Sequence, residues 1–249
     1  MTCWPEGYGR RVLASVDSTL SEAARTAADL TGPQWILALE QTAARGRRGR
    51  VWVHPVGNFA ATLVVHPDEA PGVAALRSFV MSLALLRACV AVTGRNDVFS
   101  LKWPNDVLLQ GGKVAGILLE SAGQGRGVSH LAIGVGVNLI AAPAQSSVEQ
   151  RAVRPVSLWS ETGVRLDPEQ FLDALAAAYA PLEQQFLDFG FAPIRAGWMA
   201  HAARLGQVIT ARTGQTETTG TFEDVDADGN LILTTAHGRV AIAAADVFF

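Results

Sequence analysis

Apolar and polar positions change rhythm several times along the chain. Short apolar runs of strand length occupy residues 11–16, 35–40 and 59–65. Between the first two, an alanine-rich stretch predicts a helix over 19–30, and Asp17-Ser18-Thr19 offers N-cap chemistry at its start. Residues 73–92 are mostly apolar and predict one long buried helix, ended by Gly94. Short strands follow at 99–102, 107–109, 114–120 and 130–140. Pro104-Asn105-Asp106, Gln110-Gly111-Gly112 and the segment 123–127 supply the turns. Strands joined by such short turns pair antiparallel.

Residues 141–155 are rich in Ala, Pro and Ser and read as loop. Helices are predicted over 168–189 and 193–205, each with Pro near its start. After 205 the pattern turns to β-branched strands at 208–212, 216–222, 231–235 and 240–243, with turns at Asp228-Gly229 and His237-Gly238. The expectation is an α+β fold: a mixed or antiparallel sheet packed with helices over 1–204, and a small all-β unit over 205–249.

Composition narrows the class. A hydrophobic content of 49% supports a real core, and the net charge of −3 gives no general pull toward nucleic acid or anionic membrane. Residues 204–249 carry 3 basic and 6 acidic groups, while the rest is balanced, so any anion site must be local. Cys3 and Cys89 cannot build a disulfide framework. Arg77 and Arg87 interrupt the most apolar stretch, and the first residues lack a signal-peptide run. A soluble cytoplasmic protein with no membrane partner is expected.

Only two of the chain's twenty basic residues are lysines, and both lie in LKWPNDVLLQGGKVAGILLE. Arg is a planar fork, whereas Lys is a compact point charge. Compositional bias explains the scarcity elsewhere; it does not explain why Lys102 and Lys113 flank Asp106. A carboxylate between two ammonium groups stays ionised. At an exposed turn, Asp106 is a candidate proton acceptor or metal holder, or else a plain turn former. Arg45-Gly46-Arg47-Arg48-Gly49-Arg50 packs four guanidinium groups into six residues. Such a loop suits a phosphate or carboxylate; a solvated basic loop or an RNA contact is the alternative. Trp52 follows, as core or as a lid. In 130–140, Leu131, Ile133, Val135, Val137 and Leu139 share one face, while Gly134, Gly136 and Asn138 share the other. Glycines weaken a strand, so that face should receive a flat ligand or a crossing helix. The five histidines show no metal-ligand spacing. No protein-only metal site, Ser-His-Asp triad or P-loop is read.

In order along the chain stand Asp17-Ser18-Thr19, Glu40-Gln41 before RGRRGR and Trp52, KWPND at 102–106, GGKVAGILLE at 111–120 and IGVGVNL at 133–139. Together these resemble the biotin protein ligases, and the residues after 205 resemble that family's SH3-like tail. The resemblance covers nearly the whole chain. It implies a class II synthetase-like catalytic domain over 1–204 and an SH3-like barrel over 205–249. The implied reaction attaches biotin to a lysine of a biotin carboxyl carrier domain, that of acetyl-CoA carboxylase, through biotinyl-5′-AMP. ATP and biotin are the implied substrates, with Mg²⁺.

By resemblance, Ser18, Thr19 and Gln41 hold the ureido ring, and Arg45, Gly46 and Arg47 fold over biotin and phosphate. Arg48 and Arg50 aid neutralisation, and Trp52, Lys102 and Asn138 lie around ATP. Lys113 meets the biotin carboxylate and the α-phosphate. Gly116, Gly134 and Gly136 floor the pocket, and Asp106 orients or deprotonates the acceptor lysine. Lys113, Arg47 and Asp106 are the catalytic candidates. Leu20 departs from the family's usual Asn, and Ala44 from its frequent Gly. No helix-turn-helix precedes the first strand, so DNA binding is not expected; monomer and homodimer both remain open. Trp159 lies in a region suited to adenine stacking without matching a motif. Two rivals stand: a lipoate-type ligase or acyltransferase of the same fold, and a nonenzymatic nucleic-acid-binding module. A pI near 5.9 argues against the second.

Overall fold

A computed structural model describes residues 3–50, 52–123 and 127–249. The centre of the turn expected at 123–127 lies outside the described residues. The chain runs β1 (Gly9–Leu13), α1 (Thr19–Thr26), β2 (Gln34–Ala38), β3 (Phe59–Val65), α2 (Pro71–Ala75) and α3 (Arg77–Thr93). There follow β4 (Phe99–Lys102), β5 (Asp106–Leu109), β6 (Gly112–Ala122) and β7 (His130–Val137), then α4 (Leu158–Thr162), α5 (Pro168–Phe189) and α6 (Phe191–Met199). The last strands are β8 (Val208–Thr213), β9 (Thr216–Val225), β10 (Leu231–Thr235), β11 (Gly238–Ile242) and β12 (Asp246–Phe248).

The first seven strands form one mixed sheet ordered β1-β2-β3-β7-β6-β5-β4, parallel only at β1–β2. β3 is buried at every position, as a central strand covered on both faces must be. On one face α3 and α5 pack together, with Phe171 of α5 edge-on to Phe59 at 5.0 Å. On the other, Leu20 and Ala23 of α1, with Ala27 just after it, close a smaller cluster with Ile36, Val64 and Ala132. The alternation of β7 thus sends Ile133 and Val135 to the large core and Ala132 to α1.

Four elements differ from expectation. The single helix expected over 73–92 is two, α2 and α3, meeting at Leu76. By length and composition Pro71–Thr93 could cross a membrane, but 78% of its most apolar window is buried. Arg77, 2% exposed, pairs there with Glu69 (2.6 Å) and Glu183 (2.8 Å). α6 ends at Met199, short of 205. α4 and β12 were not predicted, being too short to show a period. By contrast α5 starts where its signals place it: Asp167 and Gln170 form a reciprocal capping box with Pro168 in the first turn.

The last five strands form an antiparallel sheet ordered β11-β10-β9-β8-β12, without a closed barrel among the described strands. It docks on the helices. Trp103 Nε1 donates to Gly229 O at 3.0 Å. Gly229, at φ +81°, lies so close to Leu76 and Phe79 that a Cβ would come within 2.9 Å.

Candidate active site

A cavity of about 580 Å³ opens beside α1 on the glycine face of the sheet. Every expected site residue lines it except Arg48, which points elsewhere.

The floor depends on a bulge in β6. Leu108 pairs with Lys113 but Val107 pairs with Ala115, leaving Val114 as the extra residue. In a regular strand Lys113 and Gly116 would point to opposite faces. The bulge instead lays Lys113 over Gly116, where a Cβ would sit 3.4 Å from its Nζ. From there Nζ reaches Asp106 Oδ1 at 2.7 Å, while Lys102 Nζ stands 3.7 Å from Oδ2.

Asp106 is not the exposed turn residue expected. It opens β5, pairs with Gly116 and is 8% exposed. Burial alone would raise its carboxyl; Lys113 and Lys102 outweigh that and hold it below the usual carboxylate value. Burial pulls the Lys102 amine below its ordinary value, against the opposing pull of Asp106.

Of the two glycines of β7, Gly134 receives the crossing helix α1 through Leu20, and Gly136 receives the side chain of Trp52. A Cβ on Gly134 would meet Leu20 at 2.8 Å, and one on Gly136 would meet Trp52 at 2.7 Å. Trp52 is therefore a wall of the cavity, not core, and Lys113 Nζ lies 5.6 Å from its ring centre.

One end is polar and neutral. Ser18 occupies the N-cap of α1 and is buried, yet its side chain makes no capping bond. Gln41 Oε1 accepts from Thr19 N (2.8 Å) and Thr19 Oγ1 (3.2 Å). Thr62, absent from the sequence reading, donates to Thr19 Oγ1 at 2.9 Å. Arg45 crosses this end, bound to Glu120 at 2.8 Å and Ser21 at 2.7 Å. On the far side Asn138 Nδ2 donates to Val156 O, while its buried Oδ1 has no partner among the described residues.

The other end is cationic. Gly46 N donates to Arg50 O, and Trp52 N to Ala44 O, closing the arginine loop on itself. Arg47 reaches Asn105 Oδ1 and Ala245 O, both at 3.4 Å. Arg48 turns out to Asp246 at 2.7 Å, and Arg50 meets Asp246 at 3.0 Å and Glu149 at 3.1 Å. Asp246 and Glu149 line the cavity, and no motif marks either. Trp159 does not line it: 46% exposed, it borders a separate depression, with Arg165 over its ring. Among the described residues no three His, Cys, Asp or Glu gather as a metal cluster. Asp106, Glu149 and Asp246 are each salt-bridged to Lys or Arg.

Comparison with known proteins decides between biotin and lipoate chemistry. The biotin/lipoate A/B protein ligase family matches residues 10–138, and the biotin protein ligase C-terminal domain matches residues 205–249. A biotin–[acetyl-CoA-carboxylase] ligase of Paracoccus denitrificans is 54% identical over 96% of this chain and 99% of its own length. The chain belongs to the biotin protein ligases. The bifunctional ligase/repressor BirA of Escherichia coli is 28% identical, matched over 92% of this chain and 70% of its own length. The biotin protein ligase of Aquifex aeolicus, solved in complex with biotin and ATP, superposes with a TM-score of 0.82 at 25% identity, over 96% of this chain and 98% of that one. A biotin protein ligase must bring a carboxylate to a polyphosphate. In this one Lys113 and the arginine loop line the same cavity.

Proposed function

We propose that this ligase adenylates biotin within the cavity and passes the biotinyl group to one lysine of a biotin carboxyl carrier domain, that of acetyl-CoA carboxylase, in the cytoplasm. Residues 1–204 carry the chemistry and 205–249 close over it. The observation that supports this reading best is Lys113, laid across the glycine floor by the bulge and anchored to Asp106 at 2.7 Å.

Biotin's ureido ring lies against Ser18, Thr19 and Gln41, and its valeryl chain runs alongside Trp52, which Gly116 and Gly136 seat against the sheet, with Leu20 seated on Gly134. Its carboxylate ends at Lys113. An oxygen of that carboxylate attacks the α-phosphorus of ATP, and the bond to pyrophosphate breaks. Lys113 and Arg47 neutralise the charge that gathers there, and Arg50 favours pyrophosphate as leaving group; Arg48, outside the lining, does not reach it. Two repelling anions are held together, so the rate comes from position and electrostatics. The cavity's carboxylates are already paired to cations, so Mg²⁺ travels on the ATP phosphates rather than in a protein cage. Asn138 lies beside the nucleotide, and Lys102 supports Asp106.

In the second step the acceptor lysine's neutral amine attacks the biotinyl carbonyl, the bond from that carbonyl to the phosphate oxygen breaks, AMP leaves, and the amine's proton passes to solvent. A carboxyl held below its usual value is a poor base. Asp106 therefore orients the incoming amine and Lys113 rather than taking the proton. The test is a mixture of the chain, biotin, MgATP and a carrier domain. One biotinyl group should appear on the carrier's acceptor lysine. Label spread over many carrier lysines, or none, contradicts the assignment.

A further inference from the structure

The arginine loop carries a counter-ion that the reaction itself does not call for. Asp246 is the first residue of β12, paired across the sheet with Arg212. Its carboxylate is thus fixed by a strand and is only 11% exposed. It meets Arg48 at 2.7 Å, Arg50 at 3.0 Å and Arg47 at 4.0 Å. Arg47 also donates to Ala245 O, next along the same segment.

Both reactants are anions, and a carboxylate at the cavity wall repels them. Its place is explained by the loop instead. Four guanidinium groups within six residues repel one another. Arg48 adds a left-handed backbone, φ 58°, that a side chain disfavours. A loop so strained and so charged needs an outside anion to stay folded over the cavity. Arg48 makes the point by position: alone among the loop's four arginines it does not line the cavity, yet it holds Asp246. Glu149 adds a weaker tie, at 3.1 Å from Arg50.

We infer that Asp246, from the C-terminal unit, is a positioning residue that latches the arginine loop closed and so retains biotinyl-AMP. This rests on the ligase reading above. Asp246 touches no reacting atom; it acts through Arg48, Arg50 and Arg47. It also gives the C-terminal sheet a part in the chemistry of the other unit.

The experiment follows release of labelled biotinyl-AMP from the full chain, formed from biotin and MgATP without carrier, after gel filtration and a chase. Asp246→Asn keeps the shape and removes the charge. It should release the adenylate about tenfold faster, and raised salt should speed release from the wild type far more than from the variant. Asp246→Glu should restore slow release in part. Arg239→Gln removes a charge from β11 of the same sheet, where Arg239 pairs with Glu223 at 3.1 Å, but leaves the latch, and should release within about twofold of the wild type. The inference is overturned if Asp246→Asn releases at the wild-type rate with the wild-type salt response. It is overturned too if Arg239→Gln speeds release as much as Asp246→Asn, or if Asp246→Asn binds ATP more tightly and retains the adenylate as before. If the wild type makes no biotinyl-AMP, the ligase reading itself fails, which is a distinguishable result.

Discussion

Asp106 answers for two lysines, so its loss should be felt twice. Lys102 is 9% exposed, and Asp106 is its anionic partner. Asp106→Asn leaves a buried ammonium unpaired and should cost about 3 kcal/mol in urea unfolding. It should also slow transfer to the carrier more than adenylation in single-turnover assays. The pH sign follows from the depressed carboxyl. Its stabilising contribution is present above the ordinary value of 3.8 and is lost as pH falls through the lower folded value. Thermal midpoints of Asp106→Asn should therefore fall less steeply at acid pH than those of the wild type; equal slopes would deny the pairing. Lys113→Ala should abolish biotin-dependent pyrophosphate release. At this scale the sequence was informative about identity but not about setting. Two lysines around one aspartate were visible, yet Asp106 read as an exposed turn residue because its burial depends on pairing with Gly116 across the sheet.

Strands and helices with strong local signals were legible. β3, β4, α5 and β10 lie where apolar runs, turn residues and the Asp167 cap place them. The hairpin at Gln110 and Gly111 was legible as well, and both residues have positive φ, as a two-residue turn of this kind requires. The bulge at Val114 was not, since a bulge is a property of two strands in register rather than of one sequence. Yet the bulge brings Lys113 to the glycine face. The same face yields a test of the floor. Gly136→Ala places a Cβ 2.7 Å from Trp52, which must shift out of its place beside Lys113. Biotin affinity by calorimetry should drop about 10- to 100-fold, with the fold retained by circular dichroism. Unchanged affinity would mean that Trp52 does not shape the biotin site.

Across the whole molecule, the motifs revealed the family but not the closure. Asp246 and Glu149 act through docking of the C-terminal sheet against the arginine loop, and docking leaves no periodic trace in a sequence. The scarcity of lysine has a consequence at this scale. Arg47→Gly should loosen the loop and release biotinyl-AMP, which acylates amines at random. The chain's only lysine side chains are Lys102 and Lys113, both lining the cavity. Mass spectrometry should find the label on an added lysine-rich bystander protein, with little on those two residues; heavy labelling of either would contradict their placement. The central claim is biotin activation by ATP, and pyrophosphate release tests it most directly. With MgATP and no carrier, biotin should drive one equivalent of pyrophosphate per active site, and lipoate should drive none. Release driven by lipoate but not by biotin would contradict the account.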